Sequence, residues 1–359
     1  MDFSNHIRNE IARGEMINLA GGKYQLQNSV AERYDAGLTK TELANEGLLT
    51  RDSAFSFYEM ITEVFRAEPG LNNFLMMKGV NQSVDASKLI HIEYVHSDTE
   101  GVTVGVTGNE QVNTDKVKKK SISTFMPVIF TKTTVSTRGT SGSDDEIALK
   151  EAAKRVIYKV NEILRVGSGL KVKGKNPEHT GDITGNIQGI FNHPNKFTES
   201  ALTSTARWGQ SAADPFANVL AAVKQLAVEN IPGPYALALP TDLFYELGRL
   251  IGNDKNRSIL AAINETIKSY GDGVTGSTLS DIFIENRTEG EGDDGAKTIK
   301  VFTVNSMYCK RLVGSEISMY QSPSTSFTGS TDVYVYAIVA PLLKPDYNDT
   351  VGLVTQKVK

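Results

Sequence analysis

Residues 231–247 read IPGPYALALPTDLFYEL and follow directly on residues 214–230, DPFANVLAAVKQLAVEN. The upstream run is amphipathic at helical spacing, with Asp214 placed to cap it and Pro215 at its first position. Pro232-Gly233-Pro234 then makes a tight turn, because neither proline can continue a helix or donate to a ladder. Tyr235–Leu239 is a short buried strand, and TDLFYEL starts a new helix. That order is common in α/β chemistry, yet no catalytic residue stands at any of the joints. The segment reads as a packing unit.

Outward from it, the chain is mixed. Its 359 residues suffice for two or three domains with a sizeable core. Lys and Arg number 38 against 42 Asp and Glu, a formal charge of -4. That is not the strongly basic balance of a protein that grips nucleic acid through its phosphates. Cys309 is the only cysteine, so no intramolecular disulfide and no cysteine-based zinc site can form. A reducing compartment is expected. The N-terminal residues lack the charged start and apolar core of a signal peptide, and no apolar run approaches a membrane span.

Residues 1–50 are polar and broken by Gly21, Gly22 and Gly37, and read as an arm without a core of its own. RDSAFSFYEMITEVFRAEPG then spaces Phe57, Met60, Ile61, Val64 and Phe65 as a helix, with Pro69-Gly70 as its stop. KLIHIEYV, GVTVGV and the long run STFMPVIFTKTTVST are β-rich, and read as a two-stranded excursion around the polar TGNEQVNTDKVKKK. A hairpin this long is marginal alone and needs a surface to lie on.

Residues 143–167 form the clearest helix. Ser143 and Glu146 make a capping box. Glu146 with Lys150 and Glu151 with Arg155 are i,i+4 pairs. Leu149, Ala152, Val156, Val160 and Ile163 line one face. LKVKGKNPEHTGDITGN follows as a polar loop, and a further helix spans Lys255 to Tyr270. DIFIEN and TIKVFTVN flank EGEGDDGAK as a hairpin, and SEISMYQSPSTSFTGSTDVYVYAIVAPLLKPDY reads as strand, turn, strand. The class is α+β with segregated elements.

The search for chemistry returns little. Gly271, Gly273 and Gly276 match G-x-G-x-x-G, but a helix precedes them and a strand follows, the reverse of a dinucleotide site. His91 and His96 fall on opposite faces of one strand, and His6, His179 and His193 are scattered. Glu289, Glu291, Asp293 and Asp294 lack the register of a calcium loop and read as a solvated tip. Lys116, Lys118, Lys119 and Lys120 form a basic run at the hairpin's return. It is either a solvated charge run or a contact with an acidic patch of a neighbouring subunit. Trp208 reads as a packing anchor. No catalytic, cofactor-binding or metal site is assigned.

The ordered set resembles the Hong Kong 97-like capsid fold of tailed-phage major capsid proteins and encapsulin nanocompartments. GLLTRDSAFSFYEMI, EIALKEAAKRVIYKVNEIL, GNIQGIFN, IPGPYALALPTDLFYEL, LVGSEISMYQSPSTS and VYVYAIVAP carry the likeness, in that order. The resemblance implies an N-terminal arm (1–50) and an extended loop (81–123) lying over an adjacent subunit. It implies a peripheral domain (51–80, 124–187 and 313–344) with a spine helix at 143–167, and an axial domain (188–312 and 345–359). Tyr270, Gly271, Asp272 and Gly273 would then sit in a loop near the capsomer axis.

The implied function is structural, not enzymatic: self-assembly into hexamers and pentamers of an icosahedral shell around double-stranded DNA, held nonspecifically. Portal, scaffolding and decoration proteins are the implied partners, no membrane is involved, and the virion, assembled in host cytoplasm, is the implied location. The some 50 residues before the first helix fit a phage-type arm better than an encapsulin. An encapsulin-type shell with protein cargo is the alternative within the fold. A soluble α+β enzyme with no visible site is the alternative outside it.

Overall fold

The computed structural model describes residues 18–19, 23–24, 51–67, 70–96, 119–136, 143–172, 183–199, 208, 214–248, 250–251, 254–271, 279–285, 298–321, 330–346 and 348–358. In chain order the elements are β1 (Asn18–Leu19), β2 (Lys23–Tyr24), α1 (Arg51–Ala67), α2 (Leu71–Met77), β3 (Asn81–Ser83), β4 (Ile90–His96), β5 (Lys119–Phe125) and β6 (Val128–Ser136). Next come α3 (Ser143–Val166), β7 (Gly167–Val172), β8 (Ile183–Gln188), β9 (Phe197–Glu199), α4 (Pro215–Val228), β10 (Tyr235–Leu239) and α5 (Thr241–Leu247). The chain continues through β11 (Leu250–Ile251), β12 (Asp254–Ser258), α6 (Ile259–Gly271), β13 (Leu279–Ile284), β14 (Thr298–Thr303), β15 (Cys309–Gln321), β16 (Ser330–Leu343) and β17 (Leu353–Lys357). These build two units, each from three separated stretches: 1–91, 124–187 and 311–341 in the first, 92–123, 188–310 and 342–359 in the second.

The first unit holds a four-stranded sheet ordered β3-β15-β16-β6. β16 and β6 are antiparallel, in register from Ser330↔Ser136 to Ile338↔Val128. β3 runs parallel to β15 through Arg311↔Asn81. Helix α3 packs on β6, and α1 and α2 pack on α3. Its buried face is Leu149, Ala152, Val156, Val160 and Ile163, the expected helical stripe, joined by Ala153, Ile157 and Leu164. The helix stops where Gly167 turns to φ 85°, a conformation that glycine adopts without a Cβ clash. On its exposed face Glu151 pairs with Lys154 at 3.6 Å, one position short of the expected Arg155.

Two expectations for this unit change. The run STFMPVIFTKTTVST is not one strand. It breaks at Met126-Pro127, where Met126 N–H donates to Leu89 O at 2.9 Å and Pro127 has no N–H to give. β5 therefore pairs with β4, while β6 joins β16. The polar stretch after α3 is not wholly loop, because β7 and β8 pair with each other at its ends.

The second unit holds a five-stranded sheet ordered β13-β10-β14-β17-β9. All five residues of β10 are fully buried, so the YALAL run covers both faces of the sheet, as expected of an apolar run without alternation. β10 is parallel to β13 through Leu237↔Ile282 and antiparallel to β14 through Leu237↔Val301. β13 and β14 are consequently not the hairpin that the sequence suggested, since β10 lies between them. β17, which the sequence did not announce, inserts between β14 and β9. The expected helix from Lys255 begins at Ile259, because Asp254–Ser258 pairs back onto β11.

Helix α4 covers one face with Val219, Ala222, Val223 and Leu226, against Tyr235, Leu237, Leu239, Ile299, Val301 and Val354. Asp214 caps it by accepting from Ala217 N–H at 3.0 Å. Trp208 is the anticipated packing anchor: buried, with Nε1 donating to Asn218 Oδ1 at 2.9 Å and its backbone N–H to Val358 O at 3.0 Å. In the Pro-Gly-Pro turn, three successive carbonyls are satisfied by side chains. Tyr235 Oη donates to Ile231 O (2.5 Å), Thr303 Oγ1 to Pro232 O (2.8 Å) and Asn305 Nδ2 to Gly233 O (3.0 Å). The joint between helix and sheet is thus fixed by strand β14 and its continuation as much as by the prolines.

Candidate assembly surface

Strands β4 and β5 form a separate two-stranded sheet. A ribbon of this size is marginal on its own and needs at least one of its faces held by other structure. One face is exposed. Ile90, Ile92 and Tyr94 alternate along β4 and are 37%, 53% and 46% exposed. Lys119 of β5 lies over the Tyr94 ring at 3.6 Å from its centroid, which places Lys119 on the same face. Ser121 and Ser123, also exposed, follow at period two. The result is an apolar stripe edged by a cation and two hydroxyls.

The opposite face is pinned. Both Glu93 carboxylate oxygens accept from Lys310 Nζ, at 2.7 and 2.8 Å, and Lys344 Nζ stands 3.5 Å from Oε2. Lys120, next along the chain from Lys119 and so facing the other way, pairs with Asp349. The turn that carries Asp349 is itself held: Asp346 Oδ1 accepts from Asn348 N–H at 2.9 Å and from Thr350 N–H at 2.7 Å. Asn195 Nδ2 donates to Asp349 O at 3.0 Å.

Of the sequence-predicted residues, Lys119 and Lys120 fall on this ribbon, on opposite faces, and Lys116 and Lys118 lie outside the described residues. Tyr270 and Gly271 are the last residues of α6, and Asp272 and Gly273 lie outside the described residues. Two lysines of the charge run thus lie on the ribbon's return strand. Glu93 and the exposed Ile92 and Tyr94 were hidden in an ordinary alternating strand pattern, which tells two faces apart without saying which is covered.

The remaining polar chemistry is inward. Arg311 is fully buried. Its guanidinium donates to Glu316 through both Nη atoms (2.7 and 2.6 Å), to Asn81 Oδ1 (3.2 Å) and, from Nε, to Asn72 Oδ1 (2.7 Å). Asn72 N–H donates in turn to Asn161 Oδ1 of α3 at 2.8 Å. This network joins α2, α3, β3 and β15. Burial pushes the Cys309 thiol up to about 12, which leaves it protonated and unreactive at neutral pH. Burial likewise draws His193 down to about 4, against the pull of the Asp349 charge; the neutral ring accepts from Asn195 N–H at 3.2 Å. Among the described residues no group of three or more His, Cys, Asp or Glu is placed to hold a metal ion. No described helix is long and apolar enough to cross a membrane.

No protein-family model and no curated protein matches the sequence. Solved structures do match the fold. The virus-like particle from Pyrococcus furiosus is 12% identical and superposes with a TM-score of 0.52, over 85% of this chain and all of that one. The capsid of a native GTA particle is 13% identical, with a TM-score of 0.49 over 81% of this chain and 92% of that one. The capsid of Myoviridae phage XM1 is 12% identical, with a TM-score of 0.46 over 75% and 84%.

Proposed function

We propose that this chain, which has the Hong Kong 97-like capsid fold anticipated from its sequence, is a phage-type major capsid protein. It self-assembles into hexamers and pentamers of an icosahedral shell enclosing double-stranded DNA, and its role is structural. The observation that carries this reading is the likeness to a particle-forming protein along that protein's entire length. The ribbon supports it, because Ile92 and Tyr94 present apolar area to solvent on a strand that would gain by being covered. Covered by a second copy, the stripe makes one contact per subunit, and closed symmetry repeats it around each ring.

On this reading the first unit is the peripheral domain with α3 as its spine, and the second is the axial domain. The end of α6 then approaches the capsomer axis. Lys116, Lys118 and Lys119 belong to the hairpin that reaches the neighbour. The near-balanced charge suits a wall that packs DNA without gripping it. Portal, scaffolding and decoration proteins are the expected further partners, and the virion, assembled in host cytoplasm, the expected location.

Negative-stain microscopy and size-exclusion chromatography of the expressed chain test the proposal. Closed particles or rings are expected; a monomer or dimer that persists at high concentration would count against it. The likeness to a virus-like particle keeps an encapsulin-type shell as the second reading. Nuclease-resistant DNA in native particles favours the capsid, and co-purifying protein cargo favours the compartment. Deleting residues 107–119 should abolish assembly if the hairpin is the intersubunit element.

A further inference from the structure

Glu93 and Lys120 lie one on each strand of the ribbon and are tied to different parts of the second unit. Glu93 is gripped by Lys310 and Lys344, on or just beyond strands β15 and β16, where Lys344 N–H donates to Tyr308 O at 2.6 Å. The Glu93 side chain is only 10% exposed, so water screens this cluster poorly. Lys120 is tied to Asp349 in the turn after β16. A single tether would let the ribbon swivel about it. Two tethers, one per strand, fix both tilt and roll.

The second tether adds little to stability, because Lys120 and Asp349 are 41% and 52% exposed. Yet the chain holds Asp349 at φ 67°, a left-handed conformation uncommon outside glycine. It braces that turn through Asp346 and Asn195. The turn is closed by Asp346 on both sides, so the half-exposed Asp349 carboxylate is offered to Lys120 from a fixed position.

We propose that Glu93 and Asp349 are positioning residues for assembly. Acting through Lys310, Lys344 and Lys120, they set the direction in which the β4–β5 ribbon lies against the rest of the second unit. That direction sets the spacing at which a second copy of the chain is held, and hence the curvature of the product. The inference rests on the shell reading above. It adds that particle size is encoded partly in two ion pairs internal to one subunit.

The test uses the full chain with Glu93→Gln and Asp349→Asn, singly and together. Asparagine keeps the tolerance for a left-handed backbone and removes the charge. Particle diameters are read by negative-stain microscopy and sedimentation velocity, and folding by Tm. The parent should give one diameter class. Asp349→Asn alone should keep its Tm within about 3 °C of the parent; the double variant should still assemble, but with about half or more of its particles in other diameters or open sheets. Lys120→Arg, which keeps the ion pair to Asp349, should stay in the parent diameter class.

Parent-sized shells from the double variant overturn the inference and leave the shell reading standing. Parent chains that form no particle overturn the shell reading, and this inference with it. Should the double variant unfold, Asp349→Asn alone decides, because its pair is half in water; parent-like diameters from it overturn the proposal.

Discussion

Arg311 is the residue on which the first unit depends most. It is a fully buried cation whose hydrogen bonds reach two asparagines and one carboxylate. Removing it leaves the Asn72 side-chain oxygen buried without its donor, whereas water can reach Glu316, which is 40% exposed, so the cost is about 1–3 kcal/mol. Arg311→Ala should therefore lower the denaturant midpoint by that equivalent. Arg311→Lys should recover only part, because an ammonium lacks the planar fork that Glu316 receives through two oxygens. His193 makes a second prediction. Its folded value of about 4 lies below the ordinary 6.5, so the unfolded chain takes up the proton first. The contribution of the neutral ring is full above about pH 6.5 and is lost as pH falls toward 4, to a limit of about 3 kcal/mol. His193→Asn keeps an acceptor for Asn195 and should flatten the parent's decline of urea midpoint between about pH 7 and pH 4.5. Neither residue stood out in the sequence, because nothing in RLVGSE or NHPNK marks a side chain as buried.

At the scale of elements, the ribbon makes the sharpest prediction. Burying an Ile or Tyr side chain is worth roughly 1.5–3 kcal/mol, so losing one at a subunit contact weakens that contact about tenfold or more. Ile92→Ser with Tyr94→Ser should leave Tm within about 2 °C, since both side chains are half in water already. Critical concentration for assembly, measured by light scattering, should rise tenfold or more; an unchanged value would remove this face from the interface.

Elements were legible where periodicity or punctuation was strong. α3 carried its stripe and its terminal glycine, α4 its Asp-Pro start, and β10 its uninterrupted apolar run between prolines. Pairing was not legible. DIFIEN and TIKVFTVN were both read as strands, but the sequence between them looks like a hairpin tip, and nothing local reports that β10 enters between the two. β17 was missed because LVTQK mixes apolar and polar residues too briefly to show a period. In residues 123–137 the unbroken β-branched and aromatic composition masks the break at Pro127, which shows only in the different partners of β5 and β6. Of the candidate surface, the lysine run was visible as charge. The ion pair across from it was not, since Glu93 lies 217 positions from Lys310.

For the whole molecule, the architecture explains why no active site was needed to account for the opening helix–turn–strand–helix segment. Its turn carbonyls are taken by Tyr235, Thr303 and Asn305, and its strand is a buried interior strand of a five-stranded sheet. The joint is occupied by structure instead of being held open for a ligand. Microscopy of the expressed chain tests the reading at this scale, because on the proposed reading single subunits should close into rings or particles.

The place of β17 has a consequence in time. Residues 353–357 are inserted between β14 and β9, whose own residues are made some 50 and 150 positions earlier. A ribosome must therefore make residues 353–357 before the sheet of the second unit can close. Until then two strands stand with open edges, and the turn that carries Asp349 has no strand after it to anchor it. Truncated products of interrupted synthesis consequently lack the finished second unit. On the shell reading, a fragment that stops before residue 353 would lack the closed sheet that holds Asp349, and so the tether of the ribbon.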